Sequence, residues 1–143
     1  MPSDNAPPVG ELTVSVRPEL SDAALNELFA AAWPDHEPIA FAPVLARSLV
    51  WIGAHRHTGP HPAPRLVGYV NVAGDGGAHA FVLDTTVHPD ERRRGLGVRL
   101  VRAAAEEATR RGAEWLHVDY EPHLAPFYER CGFRPTAAGL LRL

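Results

Sequence analysis

A chain of 143 residues, 45% apolar and 22% charged, is long enough for one packed core and short for two. Its formal net charge of -3 excludes a general electrostatic pull toward nucleic acid. The single cysteine, Cys131, excludes an internal disulfide, and no apolar run reaches the roughly 18 residues of a membrane span.

Residues 1–10 are Pro-rich and lack the basic flank and apolar core of a secretion signal. They read as a flexible tail before one domain over residues 11–143, with a cytoplasmic location expected. Leu12 to Val16 alternates apolar and polar residues like a short strand, and Pro18 stops it. Ser21 is placed to cap a helix whose apolar positions Leu25, Leu28, Phe29 and Ala32 recur at helical spacing until Pro34. A second short helix is expected over Phe41 to Arg47. Ser48 to Ala54 and Leu66 to Ala73 are buried-strand candidates, separated by a His, Pro and Gly loop from His55 to Arg65 that is expected to be mobile. Gly74-Asp75-Gly76-Gly77 then signals a tight turn into a third strand, Ala78 to Val87, giving an antiparallel hairpin.

From Leu96 onward, Leu96, Leu100, Ala104 and Ala108 form one helical stripe with Val101 beside it, and Gly112 closes the helix. Trp115 to Val118 is a further strand, Ala125 to Arg130 a short helix, and Phe133 to Leu143 can supply a small terminal hairpin. This order predicts an α/β fold, a mixed sheet with helices on its faces.

The junction from Thr85 to Val98 carries the chemistry. A strand runs through Arg92, Arg93 and Arg94 into a helix start at Gly95-Leu96-Gly97-Val98. Glycine lets backbone approach an anion closely, the first amides of a helix are unpaired donors, and the helix dipole adds positive field. The spacing fits neither a dinucleotide loop nor a Walker loop. A solvated arginine loop is the simpler alternative.

Arg92-x-x-Gly95-x-Gly97, following Val87-His88-Pro89, closely resembles the acyl-CoA pyrophosphate loop of the GNAT superfamily of N-acetyltransferases. The order of elements is similar over nearly all of residues 12–143. Pro126-Phe127-Tyr128-Glu129-Arg130-Cys131-Gly132-Phe133 resembles the family's Tyr-x-x-x-Gly-Phe helix end. The resemblance implies acetyl-CoA as cosubstrate, its pantetheine arm paired to the backbone of Thr85, Thr86 and Val87. Its pyrophosphate would lie against Arg92 to Val98. An amine attacks the thioester, an oxyanion forms and thiolate leaves, with Tyr128 in the place of the leaving-group acid and a backbone amide, most plausibly that of Val87, meeting the oxyanion. A tyrosine merely packed at a helix end is the alternative.

The base has no diagnostic motif. Asp84, Asp119, Glu121, His79 and His117 flank the expected cleft, and alternation puts Asp84 with Ala80, Val82 and Thr86 on one strand face. There a carboxylate needs a partner or a raised pKa, so Asp84 is either the base or a partnered structural residue. Glu121-Pro122-His123 stands where many family members have an asparagine that contacts pantetheine. Trp33, Asp35 and Glu37 could receive a cationic amine, or simply form a proline-bounded helix connection. Trp51 reads as core, Cys131 as structural, and the histidines, His55, His57 and His61 included, lack metal-ligand spacing. An amine-acetylating enzyme without a metal, nucleic-acid partner or membrane is the leading expectation. A non-catalytic acyl-CoA sensor and a nucleic-acid domain using Arg92 to Arg94, Arg99 and Arg102 are the alternatives. Edge strands near the C-terminus could pair two copies into a homodimer.

Overall fold

The computed structural model describes residues 7–59 and 63–143. Apolar alternation and helical spacing resolve into β1 (Leu12–Val16), α1 (Asp22–Ala32), α2 (Ala42–Arg47), β2 (Val50–Arg56), β3 (Arg65–Gly74), β4 (His79–Val87), α3 (Leu96–Arg110), β5 (Trp115–Val118) and α4 (Ala125–Arg130). Single 3-10 turns at Pro89–Glu91 and Pro122–Leu124 precede α3 and α4. The strands make one sheet in chain order, antiparallel from β1 to β4 and parallel from β4 to β5. Only the parallel step needs a crossover, and α3 supplies it.

The sheet is covered on both faces. Against one, α3 buries Leu96, Leu100, Ala104 and Ala108 on Val50, Ile52, Ala54, Val70, Val72, Ala80 and Val82. Against the other, Leu25, Leu28 and Phe29 of α1 pack with Phe41, Leu66 and Tyr69. The Ser21 hydroxyl accepts from the Ala24 amide at 3.1 Å, and Gly112 at φ +95 ends α3, both as expected. Trp51 packs partly on the α1 cluster, with its indole donating to the Pro18 carbonyl at 2.9 Å.

Three expectations change. β2 reaches Arg56 because His55 and Arg56 pair with Leu66 and Arg65. The first part of the following loop is therefore tied down: His57 lies 3.0 Å from the Thr13 hydroxyl, and its amide donates to the Glu11 carbonyl at 2.9 Å. His61 lies outside the described residues. The terminal hairpin does not form, and residues 134–143 are exposed without strand structure. Pro135 lacks an amide donor and Thr136 to Gly139 carries little apolar surface to bury, so this segment has no reason to add to the sheet.

Candidate active site

β4 pairs with β3 along most of its length but with β5 only from His79 to Val82. Beyond Val82 the edge of β4 that faces β5 has no strand partner among the described residues. Backbone groups of Leu83 to Val87 are thereby open to an extended ligand arm, as at any free sheet edge.

A bulge lies at the same point. Leu83 opposes Asn71 and Thr86 opposes Tyr69, which leaves Asp84 and Thr85 facing Val70 alone. Asp84 adopts φ +56, a left-handed conformation that Asp tolerates better than most side chains. The Thr86 hydroxyl donates to the Asp84 carbonyl at 2.9 Å, and the Trp33 indole donates to that hydroxyl at 3.4 Å. The extra residue inverts the strand's alternation. Ala80 and Val82 join the α3-side core, whereas Thr86 rises toward Trp33 on the α1 side. The single face expected for Ala80, Val82, Asp84 and Thr86 is therefore broken. Asp84 is exposed at the bulge and makes no ion pair among the described residues. It is open to solvent, yet the protein around it limits hydration, and this desolvation raises its carboxyl above the usual range.

The two glycines of the arginine loop do different work. Gly95 starts α3 at φ +80, and nothing lies within 4 Å of where a Cβ would stand. Among the described residues no side chain caps this helix, and its first backbone bond runs from Arg99 N to the Gly95 carbonyl at 3.1 Å. The amides of Leu96, Gly97 and Val98 are the free donors of a helix amino end. Gly97, expected to let an anion approach, has a packing requirement as well: a Cβ there would meet the Phe127 ring at 2.9 Å. Its missing side chain seats α4 against α3.

Arg92, Arg93 and Arg94 are all exposed around this helix end. Arg92 Nη2 lies 3.5 Å from the Ala32 carbonyl, Arg93 adopts φ +63, and Arg94 lies 3.8 Å from Glu91. Sequence reasoning missed Glu91, which is buried and takes a two-pronged bond from Arg56, Nε to Oε1 at 3.0 Å and Nη2 to Oε2 at 2.6 Å. The Arg56 bonds hold the Glu91 carboxyl below its ordinary range despite opposing desolvation. This fork anchors the loop to β2. One acidic residue beside three arginines gives no sign of it in the sequence.

Tyr128 is buried in α4, stacked on Tyr120 at 4.9 Å and edge-on to Phe127 and Phe133. Burial pushes its phenol up, with the nearby Thr85 side chain pulling the other way, so the phenol is protonated at neutral pH. Thr85 Oγ1 is buried and makes no hydrogen bond among the described residues. Tyr128 and the bulge thus meet through Thr85.

The other candidates separate. Trp33 reaches the bulge, while Asp35 and Glu37 are exposed on the connection beyond it. That connection is pinned by Asn26, whose carbonyl lies 2.8 Å from His36 Nε2. His79 and His117 contact one another at 2.7 Å, at the end of β4 far from the bulge, and Phe81 stacks on His117 at 4.6 Å. Asp119 and Glu121 are exposed beyond β5. Cys131 is half-buried, and burial raises its thiol. Among the described residues no group of three or more His, Cys, Asp or Glu could hold a metal ion, and no helix is long and apolar enough to cross a membrane.

A helix amino end offered to an anion, beside a seam that admits an extended arm, is the arrangement of an acyltransferase fold. Residues 14–133 match the Acetyltransferase (GNAT) family, and the chain belongs to it. Its fold is similar to a GNAT-family acetyltransferase from Streptococcus pneumoniae, at TM-score 0.75 and 22% identity over 93% of this chain and 98% of that one. An acetyltransferase from Trypanosoma brucei gives TM-score 0.76 at 24% identity, covering 93% and 100%. Glucosamine-6-phosphate N-acetyltransferase from Arabidopsis thaliana gives 0.69 at 15%, covering 92% and 98%. Among curated sequences, a mycothiol acetyltransferase of Mycobacterium leprae is 37% identical over 60 residues, 42% of this chain and 19% of that protein. The chain spans about a fifth of the length of such relatives.

Proposed function

We propose that this chain is an acetyl-CoA-dependent N-acetyltransferase that acetylates a primary amine, on a small molecule or a protein, by direct attack in a ternary complex. The observation that carries this reading is the uncapped amino end of α3 behind Arg92, Arg93 and Arg94. Three free amides, a helix dipole and exposed guanidinium groups suit a pyrophosphate in charge and geometry. The open edge of β4 suits the pantetheine arm at Thr85, Thr86 and Val87. Bound there, acetyl-CoA supplies an activated thioester.

The residues then divide the proton work. Asp84 accepts a proton from the incoming ammonium, and its raised pKa suits it to this task. As the new C–N bond forms and the C–S bond breaks, the Val87 amide meets the developing carbonyl charge, Tyr128 gives its proton to the departing sulfur, and the second proton of the nitrogen passes to the resulting phenolate, which leaves a neutral amide and restores Tyr128. A phenol kept neutral by burial is a proton donor at neutral pH. That feature favours an enzyme over a silent acyl-CoA sensor.

Calorimetric titration with acetyl-CoA tests the reading. Saturable binding by the wild type, weakened at least tenfold in Arg94→Ala and Gly95→Val, is expected. Absence of binding by the wild type would overturn it.

A further inference from the structure

Two polar atoms on the α1 side of the sheet have no partner. The Tyr69 hydroxyl and Asn71 Oδ1 are buried, at 0% and 3% residue exposure, and neither makes a hydrogen bond among the described residues. A buried polar atom left unpaired costs about 1–3 kcal/mol, so two of them two residues apart on one strand call for an explanation. Their position is specific. Tyr69 and Asn71 flank Val70, the residue opposite the bulge, and they pair with Thr86 and Leu83 on either side of Asp84 and Thr85. Alternation turns both away from the α3-side core that holds Val70 and Val72. The Asp84 carboxylate is close enough for its charge to act on the Tyr69 phenol.

We infer that Tyr69, Asn71 and Asp84 form the acceptor subsite, and that it takes a primary amine carried on an apolar skeleton. The inference rests on the transferase reading above and names its second substrate. An ammonium group brings three N–H donors, and the subsite offers three oxygen acceptors, from a hydroxyl, an amide carbonyl and a carboxylate. An alcohol would bring a single donor and leave the remaining acceptors unpaired. The skeleton is read from what surrounds the hook. Phe81 and Leu83 alternate with buried Ala80 and Val82, so they face the same side as Tyr69 and Asn71. They are 45% and 44% exposed, Phe81 with one ring face stacked on His117, and Trp33, which reaches the bulge through Thr86, is 49% exposed. This aromatic and aliphatic strip gives an apolar body area to cover and gives the cation a ring face. A polyhydroxylated body would lose its hydration against the same side chains without gaining hydrogen bonds.

The orphan atoms also sort by face. Thr85 Oγ1 lies toward Tyr128, whereas alternation turns the Tyr69 and Asn71 side chains to the α1 side. The bulge thus lies between groups on the α1 face and the Thr85 side chain beside Tyr128 of α4.

The test is initial-rate kinetics at saturating acetyl-CoA with 2-phenylethylamine and hexylamine as probe acceptors and glucosamine as the polar control. Both apolar amines should give kcat/KM at least tenfold above glucosamine. Asn71→Leu should raise the 2-phenylethylamine KM at least tenfold, with acetyl-CoA affinity unchanged and Tm not lowered, because an unpaired carbonyl is replaced by an apolar group of similar size. Tyr69→Phe should raise the same KM more modestly. Asp84→Asn should lower kcat and remove the acid limb of its pH profile, an effect that a merely structural carboxylate would not produce. An unchanged KM in Asn71→Leu, glucosamine equal to or better than the apolar amines, or no turnover of either apolar amine by protein that binds acetyl-CoA would each overturn the inference. Failure of the wild type to bind acetyl-CoA would instead remove the transferase reading itself, and this inference with it.

Discussion

The two flanks of the β4 bulge are built on opposite principles. On the cofactor flank the framework is braced: Glu91 is forked by Arg56, Gly97 is filled by Phe127, and Tyr128 is enclosed by three aromatic rings. On the acceptor flank the groups are left wanting: Asp84 lacks an ion-pair partner among the described residues, and the Tyr69 and Asn71 oxygens are unpaired. A donor common to a whole family can be met by fixed packing. In the proposed acceptor subsite, polar atoms are held ready, and their cost is offset when the ligand binds.

This contrast can be broken in order of expected effect. Tyr128→Phe keeps the rings packed but removes the proton, so turnover should fall about a hundredfold while calorimetric acetyl-CoA affinity stays within a factor of two. Unchanged turnover would remove Tyr128 from the chemistry. Glu91→Ala leaves the Arg56 guanidinium without its partner and should cost about 2–3 kcal/mol in denaturant unfolding, below the full range for a buried pair because Arg56 is partly exposed. It should also weaken acetyl-CoA binding, since the loop loses its anchor.

Gly97→Val drives a side chain into Phe127 and should cost about 2 kcal/mol. In a Phe127→Ala background the same change should cost less than half as much, which a double-mutant cycle reads directly. Equal costs in both backgrounds would mean that Gly97 does not seat α4.

The smallest effect is a difference in sign with pH. Glu91 titrates lower in the folded state, so its contribution is present above the unfolded value of 4.5 and is lost as pH falls through the folded one. Asp84 titrates higher when folded. Its contribution is full below the unfolded value of 3.8 and is lost as pH rises through the folded one. Asp84→Asn should therefore raise the Tm slightly at neutral pH, with the gain vanishing in acid, while Glu91→Gln should lower it most at neutral pH. Melting curves across pH 3 to 8 would separate the two, and a lowered Tm in Asp84→Asn would contradict the open acceptor flank.

Much of the cofactor flank was legible because it is local in sequence. The arginine loop, the glycine that opens α3 and the helix carrying Tyr128 each occupy one short segment, and propensity and spacing operate over such segments. Gly97 shows the limit of this reading: its place in the loop was visible, but its reason is the ring of Phe127, which only packing brings near. The acceptor flank was far less legible. Asp84 was noticed on a strand assumed to alternate regularly, and the bulge put it and Thr86 into different surroundings. Asn71 stood in plain view as a lone polar residue in the apolar run Leu66 to Ala73, yet nothing nearby in the chain indicates that its carbonyl goes unpaired.

The amino-acid sequence by itself determined the order of strands and helices, the apolar faces that join them and the anion-ready start of α3, because each follows from periodicity and backbone preference within a few residues. Tertiary structure alone decided the bulge and its reversal of the faces of β4, the Arg56–Glu91 anchor across 35 residues, and the placement of Tyr69 and Asn71 on the strand opposite the bulge. These depend on strand register and on contacts between distant segments, and such terms exist only once the sheet has closed.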